Sequence, residues 1–531
     1  MSDCEYISYE STGFFSKMMI DYVNGDEKLQ SFYTYPVTFD GIKASIEARK
    51  QFDTPRNVLV QELRKQYKNI ILTEKQEHNL QSLLEKNTFT ICTAHQPNIF
   101  TGPLYFMYKI LHTLKLASHL NEAIPENKFV PFYYMGSEDA DLDELGHINL
   151  NGKRLEWKTS QTGAVGRMKA DKQLLMLIDT IAGEIEIEPF GKELIRLFRE
   201  AYKEGESIQQ ATLHLINELF KEFGLLILIP DNIELKKQFS SIVKKELIDR
   251  FSHFALEKTS DYLRQHYKVQ ASGREINLFY LSDTKRERIE KEGEGFRVEG
   301  LGLFFGEKEI LEELEKHPER FSANVILRGV FQETILPNIA FIGGGGEIAY
   351  WLELKEVFAA ANVPFPLLIV RNSFLLIDHS QQNSAGKLGF NTPDLFKQDV
   401  QLINTLVARE SKLQLSLDKE KEQLKALYKH LKQLTAKIDI TLAEHTTALQ
   451  VKAIQKIDAL EKKMLRAEKR KFETQSRQIN KLKQQLFPGD NLQERVDNFS
   501  PFYAKYGKEC LTKVYEASLS LEQEFTILKL S

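Results

Sequence analysis

The sequence predicts an α/β protein with a parallel sheet, followed by a C-terminal α-helical coiled coil. Residues 89–135 read strand, helix, strand, and residues 338–371 repeat that order. Residues 394–487 contain neither Gly nor Pro. The first two stretches are βαβ patterns, whose crossover helices return the chain to a parallel neighbour. The third is longer than a globular helix runs and calls for a coiled coil.

Taken in order, residues 1 to about 85 are mixed, with helices expected over 42–50 and 58–67. Met1-Ser2-Asp3-Cys4-Glu5 is acidic and lacks an apolar run, so no secretory signal is expected there. Phe89-Thr90-Ile91-Cys92-Thr93 is β-branched and apolar, which suits a buried strand. From Leu104 to about Leu120 apolar residues recur at helical spacing, and Pro103 suits the first turn. Between them lie His95, Gln96, Asn98, Thr101 and Gly102. A polar loop at a strand's carboxyl end, running into a helix, is where open α/β sheets bind anions and nucleotides. His95 and Thr101 are candidate donors to phosphate oxygens, and Lys109 reads as too deep in the helix to help. An ordinary βα turn with a hydrogen-bonded His fits the same residues.

Lys128–Met135 is a second buried strand. The loop after it carries Glu138, Asp139, Asp141, Asp143, Glu144 and His147, which fit either a Mg²⁺-binding carboxylate cluster or a solvated helix cap. A helical insertion is expected over about 155–222, with helices near 172–181 and 193–223. Gly224–Asp231 returns to strand character, a helix follows over 234–252, and residues 262–320 hold short strands. Asn338–Ile342 is a strand, and Gly343-Gly344-Gly345-Gly346 follows it. Glycines at such a turn let a ligand approach free backbone N–H groups, although a tight packing turn has the same composition. Residues 347–361 are helical and Pro366–Arg371 is another buried strand. Arg328 and Arg371 can clamp a carboxylate or phosphate through two nitrogens.

In the coiled coil, Leu424, Leu427, Leu431, Leu434 and Ile438 step by three and four, as do Ala453, Ile457, Leu460, Met464 and Ala467. One helix of that length would span ~140 Å. The pattern weakens over 440–448, so an antiparallel hairpin turning there is expected. The stretch holds 20 Lys and Arg against 12 Asp and Glu, a net +8 that leaves −12 for the remainder. It reads as a dimerisation arm over 386–488, after a core over 1–385 and before a return segment over 489–531 that packs on the core.

The bulk composition excludes several classes. With 42% hydrophobic and 27% charged residues and a net charge of −4, the chain is a folded protein and not a general nucleic-acid binder. The longest apolar run, 364–377, is broken by Arg371 and Asn372 and too short to span a bilayer. Cys4, Cys92 and Cys510 make neither a disulfide framework nor a zinc motif, and a cytoplasmic location is expected. Cys92 lies in an apolar strand and reads as a small hydrophobe.

Four motifs together resemble one family, the cysteine ligases of bacillithiol biosynthesis. They are A-H-Q-P-N-I-F-T-G-P-L-Y (94–105), S-E-D-A-D-L-D-E-L-G-H (137–147), N-V-I-L-R (324–328) with Gln332, and I-G-G-G-G-E-I-A-Y-W (342–351). The resemblance covers most of the chain. It implies a Rossmann-like core akin to nucleotidylyltransferases and class I aminoacyl-tRNA synthetases, interrupted by insertions, with a coiled coil that supports a homodimer. It also implies the joining of cysteine's carboxylate to the amine of glucosaminyl-malate. ATP (or ADP) with Mg²⁺ is inferred, because an amide from a free acid requires activation; no protein metal ligands are assigned.

By that likeness the His95-Gln96 loop matches the relatives' His-rich signature and the Gly343–Gly346 turn their adenosine-side loop; the two loops flanking one sheet edge add Glu138, Asp139 and Arg371 as expected catalytic residues, with Glu138 or Asp139 orienting or deprotonating the amine. Asn98, Thr101, Gly102, Gly343, Gly344, Gly345, Gly346 and Glu347 fall to the nucleotide. Asp143, His147, Asn324, Arg328, Gln332, Tyr350 and Trp351 fall to the substrates. Two departures stand out. Ala94 replaces a Gly found in many members, and Ala140 replaces a His, which excludes a base at that position. No basic signature loop of the synthetase kind is present, and Arg371 is the candidate for its role. Two other readings fit the loops: a non-catalytic nucleotide-binding scaffold, and a nucleotidyltransferase acting on a sugar phosphate.

Overall fold

The computed structural model describes residues 4–269, 273–411 and 413–530. The leading Met1–Asp3 of the acidic N-terminus lies outside them. The chain divides into two compact units, one of residues 1–376 with 491–528, the other of 377–490 with 529–531. Residues 491–528 belong to the first unit.

The first unit is built on five parallel strands: β1 (Thr88–His95), β2 (Lys128–Met135), β3 (Leu226–Leu228), β4 (Asn338–Gly343) and β5 (Leu367–Val370). Their order is β5-β4-β1-β2-β3. The chain moves outward from the central β1 through β2 to β3, then crosses back to β4 and β5 on the other side. All residues of β1 and β4 are buried, including Thr88, Thr90, Thr93 and His95 of β1 and Asn338 of β4, as expected of strands covered on both faces. Their polar members are satisfied within the sheet: Thr93 Oγ1 donates to the Ile342 carbonyl at 2.8 Å. Phe89, Ile91, Phe129, Ile339, Ile342 and Leu367 form a core with Leu116 and Leu120 of the crossover helix α1 (Tyr105–Ala123).

Between β2 and β3 the helical insertion appears as three helices, Lys172–Ile185, Gly191–Ala201 and Ile208–Phe220. The single helix expected over 193–223 is broken where Gly205 takes φ +82° and Ser207 caps the next helix onto Gln210 N. The helix expected over 234–252 is also two pieces, Ile233–Lys237 and Ser240–Asp249. Between β3 and β4, Leu278–Leu281, Arg286–Arg288 and Phe321–Ala323 form a small antiparallel sheet. Helix α2 (Val325–Ile335) then leads into β4. After β4, α3 (Gly345–Leu352) stops short, and a separate helix covers Lys355–Ala361.

The second unit contains the arm. Helices α4 (Asp418–Ala436) and α5 (Ile440–Lys469) form an antiparallel hairpin, in which Lys421 near the start of α4 pairs with Asp458 and Glu461 near the end of α5. The turn falls at 437–439, just before the expected 440–448, because Asp439 accepts from Thr441 N and caps α5 there. Helix α6 (Glu473–Leu486) buries Ile479, Leu482 and Leu486. Leu427, Leu431, Leu434 and Ile438 remain exposed along α4 and the turn after it.

Candidate active site

A cavity of about 640 Å³ opens at the carboxyl ends of the sheet strands. It takes residues from the ends of β1 and β4, the two parallel strands between which the strand order reverses. Adjacent loops diverge to opposite faces there, so the backbone leaves a crevice. Within the cavity two linked groups of side chains can be distinguished.

The first group joins the ends of β1, β4 and β5 to α1. His95 ends β1, packed against Tyr105 and Phe106 with its Nε2 buried and unpartnered. Burial, reinforced by Lys109, Arg328 and Arg371, holds its imidazole well below the ordinary value, so the ring is neutral near pH 7. Lys109 lies just over one turn into α1, and its Nζ donates to the Ala94 carbonyl at 3.0 Å and pairs with Glu347. It lines the cavity, which corrects the expectation that it lies too far away. Glu347 also accepts from Gly344 N at 2.8 Å, capping α3. Gly345 and Gly346 begin that helix, where backbone N–H groups have no helical acceptor. A Cβ at Gly346 would meet nothing within 4 Å, so this end of the helix faces open space.

Arg371 follows β5, but it is not the free two-pronged clamp expected. Glu494 takes its Nη1 and Nη2 at 3.0 and 2.7 Å, and Nη1 also donates to Ser373 Oγ. Only Nε lacks a partner, and it would lie 3.7 Å from a Cβ at Gly344. Glu494 more than offsets the effect of burial and raises the guanidinium above its ordinary value, so Arg371 stays charged.

The second group joins the loop after β2 to α2 and the small antiparallel sheet. Glu138 pairs with Lys236 and accepts from Ser322 Oγ at 2.9 Å, so both carboxylate oxygens are engaged. Asp139 accepts from Gln96 Nε2 at 3.1 Å. Burial pushes its carboxyl upward, but Arg328, Gln96 and Arg286 outweigh that and keep it below the ordinary range. Glu144 is the opposite case: partial burial, Asp139 and Asp141 push its carboxyl up. Arg328 is half-buried beside Tyr350, whose hydroxyl accepts from Nη2 at 3.3 Å. Asn324 caps α2 through Ile326 N and also lines the cavity.

Seven cations therefore face four carboxylates (Glu138, Asp139, Glu144 and Glu347), and His95 is neutral. Lys109 and Arg371 are ion-paired. Among the described residues, Arg274, Arg286, Arg288, Arg328 and Arg495 have no carboxylate within ion-pair distance. The lining therefore carries a net positive charge, which favours negative charge within it.

Several assigned residues lie elsewhere. Asn98, Thr101 and Gly102 form a turn beside the cavity in which Phe100, Thr101 and Gly102 have φ of 47°, 73° and 62°. Asn498 Nδ2 holds that turn through the Phe100 and Gly102 carbonyls at 2.9 and 2.6 Å. Thr101 Oγ1 is buried without a partner among the described residues, and Thr101 is not part of the cavity lining. Gly343 is buried in β4, where a Cβ would strike Phe341 at 2.8 Å. Gln332 Nε2 donates to Glu333, and Trp351 stacks on Phe341 with centroids 4.3 Å apart. Neither lines the cavity. His147 Nδ1 sits 2.9 Å from the Asp143 carbonyl, and Asp141 caps its own helix through Glu144 N. Among the described residues no group of three His, Cys, Asp or Glu side chains is placed to hold a metal. Burial pushes the Cys92 thiol well above its ordinary value, which makes it inert.

The residues missed in the sequence are Tyr105, Arg274, Arg286, Arg288 and Arg495. Arg286 and Arg288 carried one signal: a two-residue spacing puts both on one face of a strand. Arg495 carried none.

Fold and site together define a Rossmann-like α/β protein with a positively lined cavity at its switch point and a separate coiled-coil unit. The family profile described as "Bacillithiol biosynthesis BshC, N-terminal Rossmann-like domain" matches residues 2–372, and that described as "Bacillithiol biosynthesis BshC, C-terminal coiled-coil domain" matches 374–530. The chain belongs to the bacillithiol biosynthesis BshC family. Relatives named "Putative cysteine ligase BshC" include those of Flavobacterium johnsoniae, 39% identical over 99% of both chains, and Christiangramia forsetii, 39% identical over 98% of both. A Bacillus cereus relative of the same name is 25% identical over 97% of this chain and 98% of its own.

Proposed function

We propose that this chain is a cytoplasmic ligase that joins the carboxylate of L-cysteine to the amine of glucosaminyl-malate, consuming ATP as its Mg²⁺ complex. The observation that carries this reading is the set of five cavity arginines without carboxylate partners. Fixed, partly desolvated cations favour negative charge on substrates and on the oxygens of a transferring phosphoryl group.

The N–H groups of Gly345 and Gly346, with Lys109 and Arg371 Nε, suit the phosphate chain. Neutral His95 offers one hydrogen bond from Nε2 without adding charge. The amine nitrogen then attacks the activated cysteinyl carbon: the C–N bond forms, the C–O bond to the phosphoryl leaving group breaks, and Glu144 takes the ammonium proton. Its raised carboxyl is better matched to that task than Asp139, which Arg328 keeps acidic. The exposed leucines of the arm serve a homodimer.

The test is turnover with purified protein, Mg-ATP, cysteine and glucosaminyl-malate, followed by mass spectrometry. A new thiol amide formed with stoichiometric AMP or ADP supports the ligase and identifies the activated intermediate. No amide under any nucleotide overturns it.

A further inference from the structure

The second group of cavity residues has a feature that activation of cysteine does not use. Arg286 is held on three sides. Its Nε donates to Ser322 Oγ at 3.2 Å, its Nη2 donates to the Ala323 carbonyl at 3.1 Å, and its guanidinium lies 3.9 Å from the centroid of the Phe279 ring. Ser322 in turn donates to Glu138, which is fixed by Lys236. The side chain is thus preorganised, and Nη1 is left with no protein partner among the described residues. Arg288 shares its strand face two residues on, lines the same cavity, and has no side-chain hydrogen-bond or ion-pair partner among the described residues either. Burial presses Arg286 below the ordinary guanidinium value, and Glu138 and Asp139 only partly offset it. A rigid, stacked, unpaired guanidinium is costly to keep unless something anionic arrives to meet it.

Both arginines belong to the small antiparallel sheet, and Arg286 is linked to the loop after β2 that carries Asp139. The phosphate-facing group of Lys109, Glu347 and Arg371 is linked instead to β4, β5 and α1. We propose that Arg286 and Arg288 form a dicarboxylate subsite for the acidic part of the amine-bearing acceptor, one carboxylate to each guanidinium. The inference rests on the ligase reading and adds to it. Selectivity for an acidic acceptor resides in the insertion between β3 and β4, apart from the machinery that activates cysteine.

The experiment is calorimetric titration of the full-length protein, without nucleotide or cysteine, using the amino-sugar diacid and its uncharged diamide. Wild type is expected to bind the diacid at least tenfold more tightly than the diamide. In Arg286→Gln that preference collapses to within about twofold, Arg288→Gln weakens it, and Arg286→Lys restores part of it, with circular dichroism checking the fold of each. A wild-type ratio near one overturns the proposal, as does a ratio that Arg286→Gln leaves unchanged. Turnover is measured separately. A preserved binding ratio without amide formation removes the ligase reading and leaves the subsite standing, whereas turnover with equal affinity for diacid and diamide does the reverse.

Discussion

Glu494 and Arg371 lie 123 residues apart in sequence and meet as a buried, two-pronged ion pair, with nitrogen–oxygen distances of 2.7 and 3.0 Å. Glu494 also accepts from Phe374 N at 3.1 Å, so one carboxylate fixes both the guanidinium and the strand beginning at Ser373. The C-terminal segment thereby becomes part of the site. Glu494→Gln keeps the volume and removes the charge, leaving Arg371 buried without compensation. Urea denaturation should show a loss of about 3 kcal/mol, the scale of breaking a buried pair. Turnover should fall at least tenfold. A variant with wild-type stability and rate would show that Arg371 needs no partner.

The turn at Phe100–Gly102 stores backbone strain, since Phe100 and Thr101 both have positive φ. Asn498 is the brace across it. Asn498→Ala removes two donated hydrogen bonds and leaves two buried carbonyls unmet, at about 1–3 kcal/mol each. Hydrogen exchange of residues 98–102 should speed up while that of β2 stays constant. Unchanged protection at the turn would mean that the strain is held elsewhere.

Glu144 gives a pH signature. Its carboxyl is raised by partial burial and by Asp139 and Asp141. A base must be deprotonated to act, so the rate should climb with pH along an acid limb lying above the ordinary carboxylate value. In Glu144→Gln that limb should vanish and kcat should drop about a hundredfold. A limb that survives the substitution assigns the proton transfer to another group.

Asp497 is pushed up to about 7 by burial, against an ordinary value of 3.8. A carboxyl raised on folding favours the fold while protonated. That contribution is complete below pH 3.8 and is lost as pH rises through 7. Asp497→Asn stays neutral at every pH, so its Tm should exceed wild type at pH 8 and approach it at pH 5. Equal differences at the two values would refute the assignment.

The exposed seam of the arm predicts association. Leu431 and Leu434 are exposed on α4 at a three-residue spacing. Replacing both with Glu should convert a dimer to a monomer in light scattering, with little change in helical content. Wild type that is already monomeric would remove the dimer from the proposal.

The sequence by itself determined the parallel sheet, its loops and the coiled-coil hairpin, because strand burial, helical spacing and the absence of Gly and Pro are local properties. His95, Gln96, Asp139, Arg328 and the glycine turn were legible for the same reason: each sits at the end of a readable strand or in a recognisable motif. Where local rules misled, a single backbone feature was responsible. Gly205 at positive φ divided one expected helix, and Asp439 as a cap moved the hairpin turn. What only the tertiary structure decided was which charges have partners. Glu138 pairs with Lys236, 98 residues away, and Arg371 with Glu494. Arg286 and Arg288 are left open. Ion pairing acts through space over a few ångströms, and in a sheet whose strands run out of sequence order those ångströms join distant segments. No periodicity in the chain records them.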